Sequence, residues 1–325
     1  MSQKVTIAVT GGTGHLGHVL IKSLLEKGFH VTALYRKTLP QLKHRNLVWI
    51  HGDVTNQTSV DLLVQQATAV IHSAAVISIG NQNKNDVYDI NVNGTKTILN
   101  ACKRFHCRLI YISSSTSVKE TIGTAVFDEN RPYKTQSDFI YEYTKALAEQ
   151  LILDAVKNNQ LDAIIIRPTS IIGPPDYRPS YFGEAIKNLA NLKLPAVVSG
   201  GYNLVDVRDV SQSIINSIDR GISGEIYLVG GTYLSLKQIA EIANPGRKFV
   251  VFPLNLLRCL MPVLNIYAMI FPMKWPVTSE SLVILKRAPI NVDSSKAINQ
   301  LNHKIRPVTD TIMDLLEWFK NEDIK

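Results

Sequence analysis

Lys4-Val5-Thr6-Ile7-Ala8-Val9-Thr10-Gly11-Gly12-Thr13-Gly14-His15-Leu16-Gly17 runs from an apolar strand directly into a set of glycines. Val5 to Val9 reads as a buried strand, and the apolar spacing of Leu16, Val19, Leu20, Leu24 and Leu25 reads as the helix that follows. The glycines therefore occupy the turn between them. At such a turn the backbone bends sharply, and a phosphate can approach helix N–H groups with no Cβ in the way, which accounts for Gly11, Gly14 and Gly17. A strand-to-helix glycine turn inside a β-α-β pattern points to a bound dinucleotide.

Outward from that turn, strands and helices alternate. Strands are expected at His30–Tyr35, Leu47–His51, Ala69–His72, Leu109–Ser113 and Ala163–Arg167, with helices at Ser59–Gln66, Asn91–Phe105 and Tyr141–Lys157 between them. This rhythm predicts an α/β fold, a Rossmann-like doubly wound parallel sheet covered by helices on both faces. After Arg167 a Pro- and Gly-rich passage breaks it. The expected division is therefore a nucleotide-binding domain over 1–167 and a smaller C-terminal α/β substrate lobe over 168–325, with parts around 203–220 returning to the first domain. Ligands of open α/β sheets lie outside the carboxyl ends of the strands, where the second lobe would close.

The chain has 325 residues and a net charge of +8, but its basic residues are scattered, and no nucleic-acid-binding motif is present. Cys102, Cys107 and Cys259 show neither a CxxC pair nor zinc-ligand spacing, so a reduced, cytoplasmic chain without a metal is expected. The first strand begins too early to leave room for a secretory apolar segment. Phe249 to Trp275 is dense in apolar residues, but Pro253, Pro262, Pro272, Asn255, Arg258 and Asn265 interrupt it. A core helix pair or an apolar substrate lid is expected there, ahead of contact between 249–275 and a membrane surface.

Two further stretches carry chemistry. Tyr141 and Lys145 stand four residues apart on a predicted helix and share a face. A fixed cation beside a phenol favours the phenolate and lowers its pKa, producing a group that can exchange a proton with an alcohol or ketone. Tyr143, turned about 160° away from Lys145, does not share that face. The run Ser113-Ser114-Ser115-Thr116 ends a strand at the carboxyl edge of the sheet, where a hydroxyl can polarise a substrate carbonyl.

Taken in order, these motifs resemble the extended short-chain dehydrogenases/reductases of the NAD-dependent epimerase/dehydratase superfamily, in particular the dihydroflavonol-4-reductase-like and 3β-hydroxysteroid dehydrogenase-like branch. The matching motifs are Thr10–Gly17, Gly52-Asp53-Val54, His72-Ser73-Ala74-Ala75, Asn91–Thr95, Ser113–Ser115, Tyr141 with Lys145, Arg167-Pro168 and Gly173-Pro174. The resemblance implies that Tyr141 is the acid/base, that Lys145 binds the nicotinamide ribose and lowers the Tyr141 pKa, and that a serine polarises the substrate oxygen. A gap-free count from Asn91–Thr95 selects Ser115, the expected residue, whereas alignment on Ile110-Tyr111 selects Ser114. By the same resemblance Gly11, Thr13, Gly14, His15, Leu16 and Gly17 hold the pyrophosphate, Asp53 and Val54 meet the adenine, Ala74 and Ala75 line the trough, and Pro168 lies on the cofactor. A homodimer packed through the Tyr141 helix is also implied.

An NAD-preferring member carries an acid at the end of the second strand. Here Tyr35 stands there, followed by Arg36, whose guanidinium suits a 2′-phosphate, so NADP is expected and NAD is the alternative. The Asn that nucleotide-sugar members use to hold their substrate corresponds to Ser170, which weakens an epimerase reading, and Thr116-Ser117 replaces the Asp-Glu pair of sugar dehydratases. The expectation is an NADP-dependent oxidoreductase that interconverts a carbonyl and an alcohol on a small apolar substrate. The alternatives are a nucleotide-sugar epimerase with tightly bound NAD and a non-catalytic NADP-binding regulatory protein.

Overall fold

In the chain's computed structural model, residues 5–78, 83–121, 123–191, 196–256 and 279–323 are described. The six apolar strands predicted from the sequence, β1 (Thr6–Thr10), β2 (His30–Tyr35), β3 (Leu47–His51), β4 (Ala69–His72), β5 (Arg108–Ile112) and β7 (Ala163–Pro168), assemble into one sheet with a seventh, unpredicted strand, β11 (Ile226–Val229). The strand Val126–Phe127 (β6) lies apart from it. The order is β11-β7-β5-β4-β1-β2-β3, and every neighbouring pair is parallel. Chain order reverses between β1 and β4, so the crevice outside their carboxyl ends is the ligand-binding switch point of such a sheet.

Helices cover both faces, which is why the central strands are apolar throughout rather than alternating. On one face α1 (His15–Glu26) buries Val19, Leu20, Ile21, Leu24 and Leu25, each contributing about 1.5–3 kcal/mol. The opposite face is covered by α2 (Gln57–Val64), α4 (Gly94–Phe105) and α5 (Ile140–Lys157), through residues such as Leu63, Ile98 and Ile152. Between them, α3 (Lys84–Tyr88) runs into a π-helical turn at Asp89–Asn93 that continues directly into α4, so the expected helix Asn91–Phe105 begins within that turn.

After Pro168 the chain crosses between two cores. Strands β8 (Ser170–Ile172), β9 (Ala196–Val198), β10 (Gly201–Asp206), β12 (Thr232–Ser235), β13 (Val250–Phe252) and β14 (Asn291–Val292) form small sheets, and α6 (Tyr181–Ala190) and α8 (Leu236–Ala243) pack with helix Val308–Asp323 in a separate core. However, α7 (Val207–Arg220), β11 and helix Ser295–Leu301 belong to the central sheet's core. Beyond residue 168 the chain thus joins the central sheet's core in two stretches, α7 with β11 and the helix Ser295–Leu301. Most of the apolar segment 249–275, and Cys259, lie outside the described residues. Cys102 and Cys107 are buried free thiols. Among the described residues no helix is long and apolar enough to cross a membrane.

Candidate active site

Two glycines let α1 pack closely on the turn after β1. Gly11 has φ +72°, and a Cβ there would stand 2.7 Å from the Ala74 nitrogen. At Gly17 a Cβ would fall 2.1 Å from the Gly11 carbonyl oxygen, so only glycine lets the helix sit this close to the turn. Gly14 caps α1 without a side-chain hydrogen bond, leaving the first N–H groups of the helix available to an anion. A dinucleotide pyrophosphate fits this cradle.

The neighbouring wall rests on a buried hydrogen-bond chain. The Ala74 N–H donates to Thr10 Oγ1 (3.2 Å), and the Thr10 hydroxyl donates to His72 Nδ1 (2.6 Å). On the far side of the ring Nε2 donates to Thr95 Oγ1 (3.1 Å), whose hydroxyl donates to the Asn91 carbonyl (2.7 Å). Burial, reinforced by the charge of Lys145, pulls the His72 pKa down to about 3, so the ring is a neutral brace at any working pH.

Gly11, Thr13, Gly14, Arg36, Asp53, Val54, Ala74 and Ala75 line a single cavity of about 230 Å³ at the carboxyl ends of β1, β2 and β4. Leu34, Tyr35, Gly52, Ser73, Val76 and Ile90 complete its walls. His15, Leu16 and Gly17 open α1 beside it. Lys145 and Pro168 stand apart from this cavity, on α5 and at the end of β7. At its rim the Arg36 guanidinium lies 3.5 Å from Asp53. Burial opposes ionisation of Asp53, but hydrogen bonds from Thr55 and the nearby guanidinium prevail and hold its carboxyl below the usual carboxylate range.

Asn91, named in the sequence only as part of the Asn91–Thr95 motif, joins this wall to the Tyr141 helix. Its Oδ1 accepts from the Val76 N–H (2.8 Å), while Nδ2 donates to the Val76 carbonyl (3.1 Å) and to Thr144 Oγ1 (3.1 Å). The available signal was an asparagine at a buried position of an apolar helix pattern.

Tyr141 and Lys145 do share a face of α5. Lys145 is 2 % exposed, and its ammonium donates to the Ile112 carbonyl (2.6 Å) and lies 4.5 Å from the centre of the Tyr111 ring. Burial pulls its pKa down to about 7, against the opposing charge of Glu149. Burial likewise pushes the Tyr141 phenol up to about 12, opposed by a hydrogen bond from Ser114. Burial dominates the phenol, with the Glu142 charge adding to it, and the Lys145 ammonium is turned toward the Ile112 carbonyl.

Ser114 is the serine that acts on the Tyr141 phenol. Ser114 is still extended beyond the end of β5 (φ −153°, ψ 148°), whereas Ser115 has entered the short helical turn Ser115–Ser117. Ser114 is the residue that alignment on Ile110-Tyr111 selects.

A family model, "NAD dependent epimerase/dehydratase family", matches residues 7–230. The chain belongs to that family. Within its extended short-chain dehydrogenase/reductase branch, it is 29% identical over 327 residues to "Sterol demethylase protein B" of Methylococcus capsulatus, covering 97% of this chain and 98% of that one. Against "Putative dihydroflavonol 4-reductase" of Synechocystis sp. the identity is 28% over 327 residues, covering 96% and 94%. The solved structure of gox2253 superposes with a TM-score of 0.84 at 27% identity, covering 98% and 99%. The family binds a nicotinamide dinucleotide, and its members are NAD(P)-dependent oxidoreductases and epimerases.

Proposed function

We propose that this chain is an NADP-dependent oxidoreductase that interconverts a carbonyl and an alcohol on a small apolar substrate. The observation that supports the reading is that Ser114, Tyr141 and Lys145 gather at the carboxyl end of β5, the strand next to β4 in the sheet. A nicotinamide cofactor would supply the hydride there. Tyr141, protonated at working pH, donates its proton to the oxygen that gains charge in reduction, and Ser114 hydrogen-bonds that oxygen. Lys145 is assigned to the ribose hydroxyls. The names of the two relatives matched over nearly their whole lengths, a sterol demethylase protein and a dihydroflavonol reductase, support a polycyclic apolar substrate.

The cofactor assignment rests on Arg36 and on the missing acid at Tyr35. In a fluorescence titration, NADPH is expected to bind at least tenfold tighter than NADH, and Arg36→Ala to remove most of that preference, since a charge-assisted pair to phosphate is worth about 1.5–3 kcal/mol. The Asp53 carboxylate 3.5 Å from Arg36 supports a second reading, in which the guanidinium is already engaged and NAD is held. Equal affinities, or NAD that co-purifies, would establish that reading and favour the epimerase.

Lys145 makes binding pH-dependent. Ribose oxygens accept from an ammonium and so favour its charged form, raising its pKa from about 7 in the free protein. Affinity is then full below pH 7 and falls as pH rises above it, by up to about tenfold per unit. NADH, which has no titrating 2′-phosphate, is the ligand to use, and Lys145→Met should flatten the profile.

A further inference from the structure

Ser114 and Tyr141 stand at the two ends of one connection, the loop that leaves β5 and enters α5, so their approach depends on how that loop is tied. Its two limbs meet as an antiparallel bridge, Val118 with Tyr133. Beside the bridge the Lys119 N–H donates to the Pro132 carbonyl (2.7 Å), and the Lys134 N–H donates to the Ser117 carbonyl (3.0 Å). The backbone of Lys134 is therefore fastened three residues beyond Ser114.

The side chain of the same residue reaches the tyrosine end. Its ammonium lies 3.0 Å from Glu142 Oε2, and Glu142 follows Tyr141 in the first turn of α5. It also pairs with Glu120 on the serine limb and lies 3.8 Å from Asp138. Lys134 is 2 % exposed and Glu142 4 %. A buried ammonium and a buried carboxylate hold each other because neither has water as an alternative partner, so the contact is a fixed joint rather than a surface pair. The other two acids have further cations. Lys119 pairs with Asp138, and Arg287, at the end of helix Ser279–Arg287, lies 3.6 Å from Glu120. Among the described residues, Lys134 is the cation within ion-pair distance of Glu142.

We infer that Lys134 is a positioning residue, a buried tether whose backbone holds the Ser114 limb and whose ammonium holds the Tyr141 helix, so that both hydroxyls meet the same substrate oxygen. This rests on the catalytic reading above, in which Ser114 and Tyr141 act together. A serine and a phenol that converge on one oxygen must both lie within hydrogen-bond reach of it, and a misplacement of about 1 Å can cost on the order of 10²-fold in rate. The nucleotide cavity is built from other elements, at the ends of β1, β2 and β4, so the tether acts on turnover and not on cofactor binding.

The test uses the full chain with NADPH and phenanthrenequinone, an apolar polycyclic dicarbonyl. Glu142→Leu cuts the link to α5 while Lys134 keeps Glu120 and Asp138, and it is expected to lower kcat by about tenfold or more with NADPH affinity within about twofold. Lys134→Met, which removes all three contacts, should be at least as slow. Glu142→Gln, whose amide oxygen still accepts from the ammonium, should return most of the parental rate. In a Ser114→Ala background no serine is left to align, so there Glu142→Leu should cost less than about threefold. Parental kcat in Glu142→Leu, or the same loss with and without Ser114, overturns the tether. Hydrogen exchange of the ligand-free protein reads it without any substrate, since Glu142→Leu should speed exchange of the Lys119 and Lys134 amides by about tenfold. Parental exchange at those two amides also overturns the tether. Turnover that survives Tyr141→Phe overturns the catalytic reading instead.

Discussion

Tyr141→Phe is expected to lower turnover by about 10²–10⁴-fold while leaving cofactor affinity within about twofold, the signature of a lost general acid. The removed hydroxyl contacts Ser114 rather than the nucleotide cradle, so binding has no reason to change. The measurement is NADPH oxidation with an apolar ketone that the parent turns over, alongside a fluorescence titration of the same variant. Unchanged turnover would remove Tyr141 from the chemistry. The partner serine is decided in the same assay. Ser114→Ala should cost about 10²–10³-fold, as for loss of one donor to the developing oxyanion, and Ser115→Ala should stay near the parent. The Ser114 hydrogen bond also holds the phenol pKa down, so its loss moves the Tyr141 ionisation further upward. The reverse order of effects would restore the gap-free count and place Ser115 at the substrate.

The serine shows where sequence reading loses resolution. The glycine turn, the β-α alternation and the Tyr141–Lys145 pairing were legible because each is local: a strand meeting a helix, or four residues on one helical face. A run of three serines carries no mark of where its strand ends, and that end decides which hydroxyl faces the phenol. The Arg36–Asp53 pair was hidden for another reason, since residues separated by 17 positions meet only through the pairing of β2 with β3. Desolvation was the third blind spot. Spacing shows that Lys145 is near Tyr141, but not that both are removed from water, and here burial rather than charge dominates the proton affinity of each.

The buried ion pair beneath the site was equally invisible, and its disruption carries the largest expected stability effect. Arg167 is 1 % exposed and Glu149 is fully buried. Arg167 Nε donates to both Glu149 oxygens at 3.0 Å, Nη2 to Oε2 at 2.6 Å, and Nη1 to the Glu129 carbonyl at 2.9 Å. The Ser117 hydroxyl donates to the same carboxylate (2.8 Å). Arg167→Met leaves the Glu149 charge buried with little compensation, which costs about 3–5 kcal/mol, whereas replacing both partners, Arg167→Met with Glu149→Leu, should restore most of it. In thermal melts the single variant is expected about 5 °C or more below the parent, with the double variant between them. Glu149 also stands one helical turn beyond Lys145 on α5, and its charge is what opposes the downward pull of burial on that ammonium. Once freed from Arg167, its field falls more fully on Lys145, so in Arg167→Met the decline of NADH affinity should begin above pH 7. In the double variant, which lacks the carboxylate, it should begin below the parental value. A melt that shifts with no movement of the pH profile would confine the pair to stability. Movement of both would make Glu149 the residue through which the core under the central sheet sets the charge of Lys145.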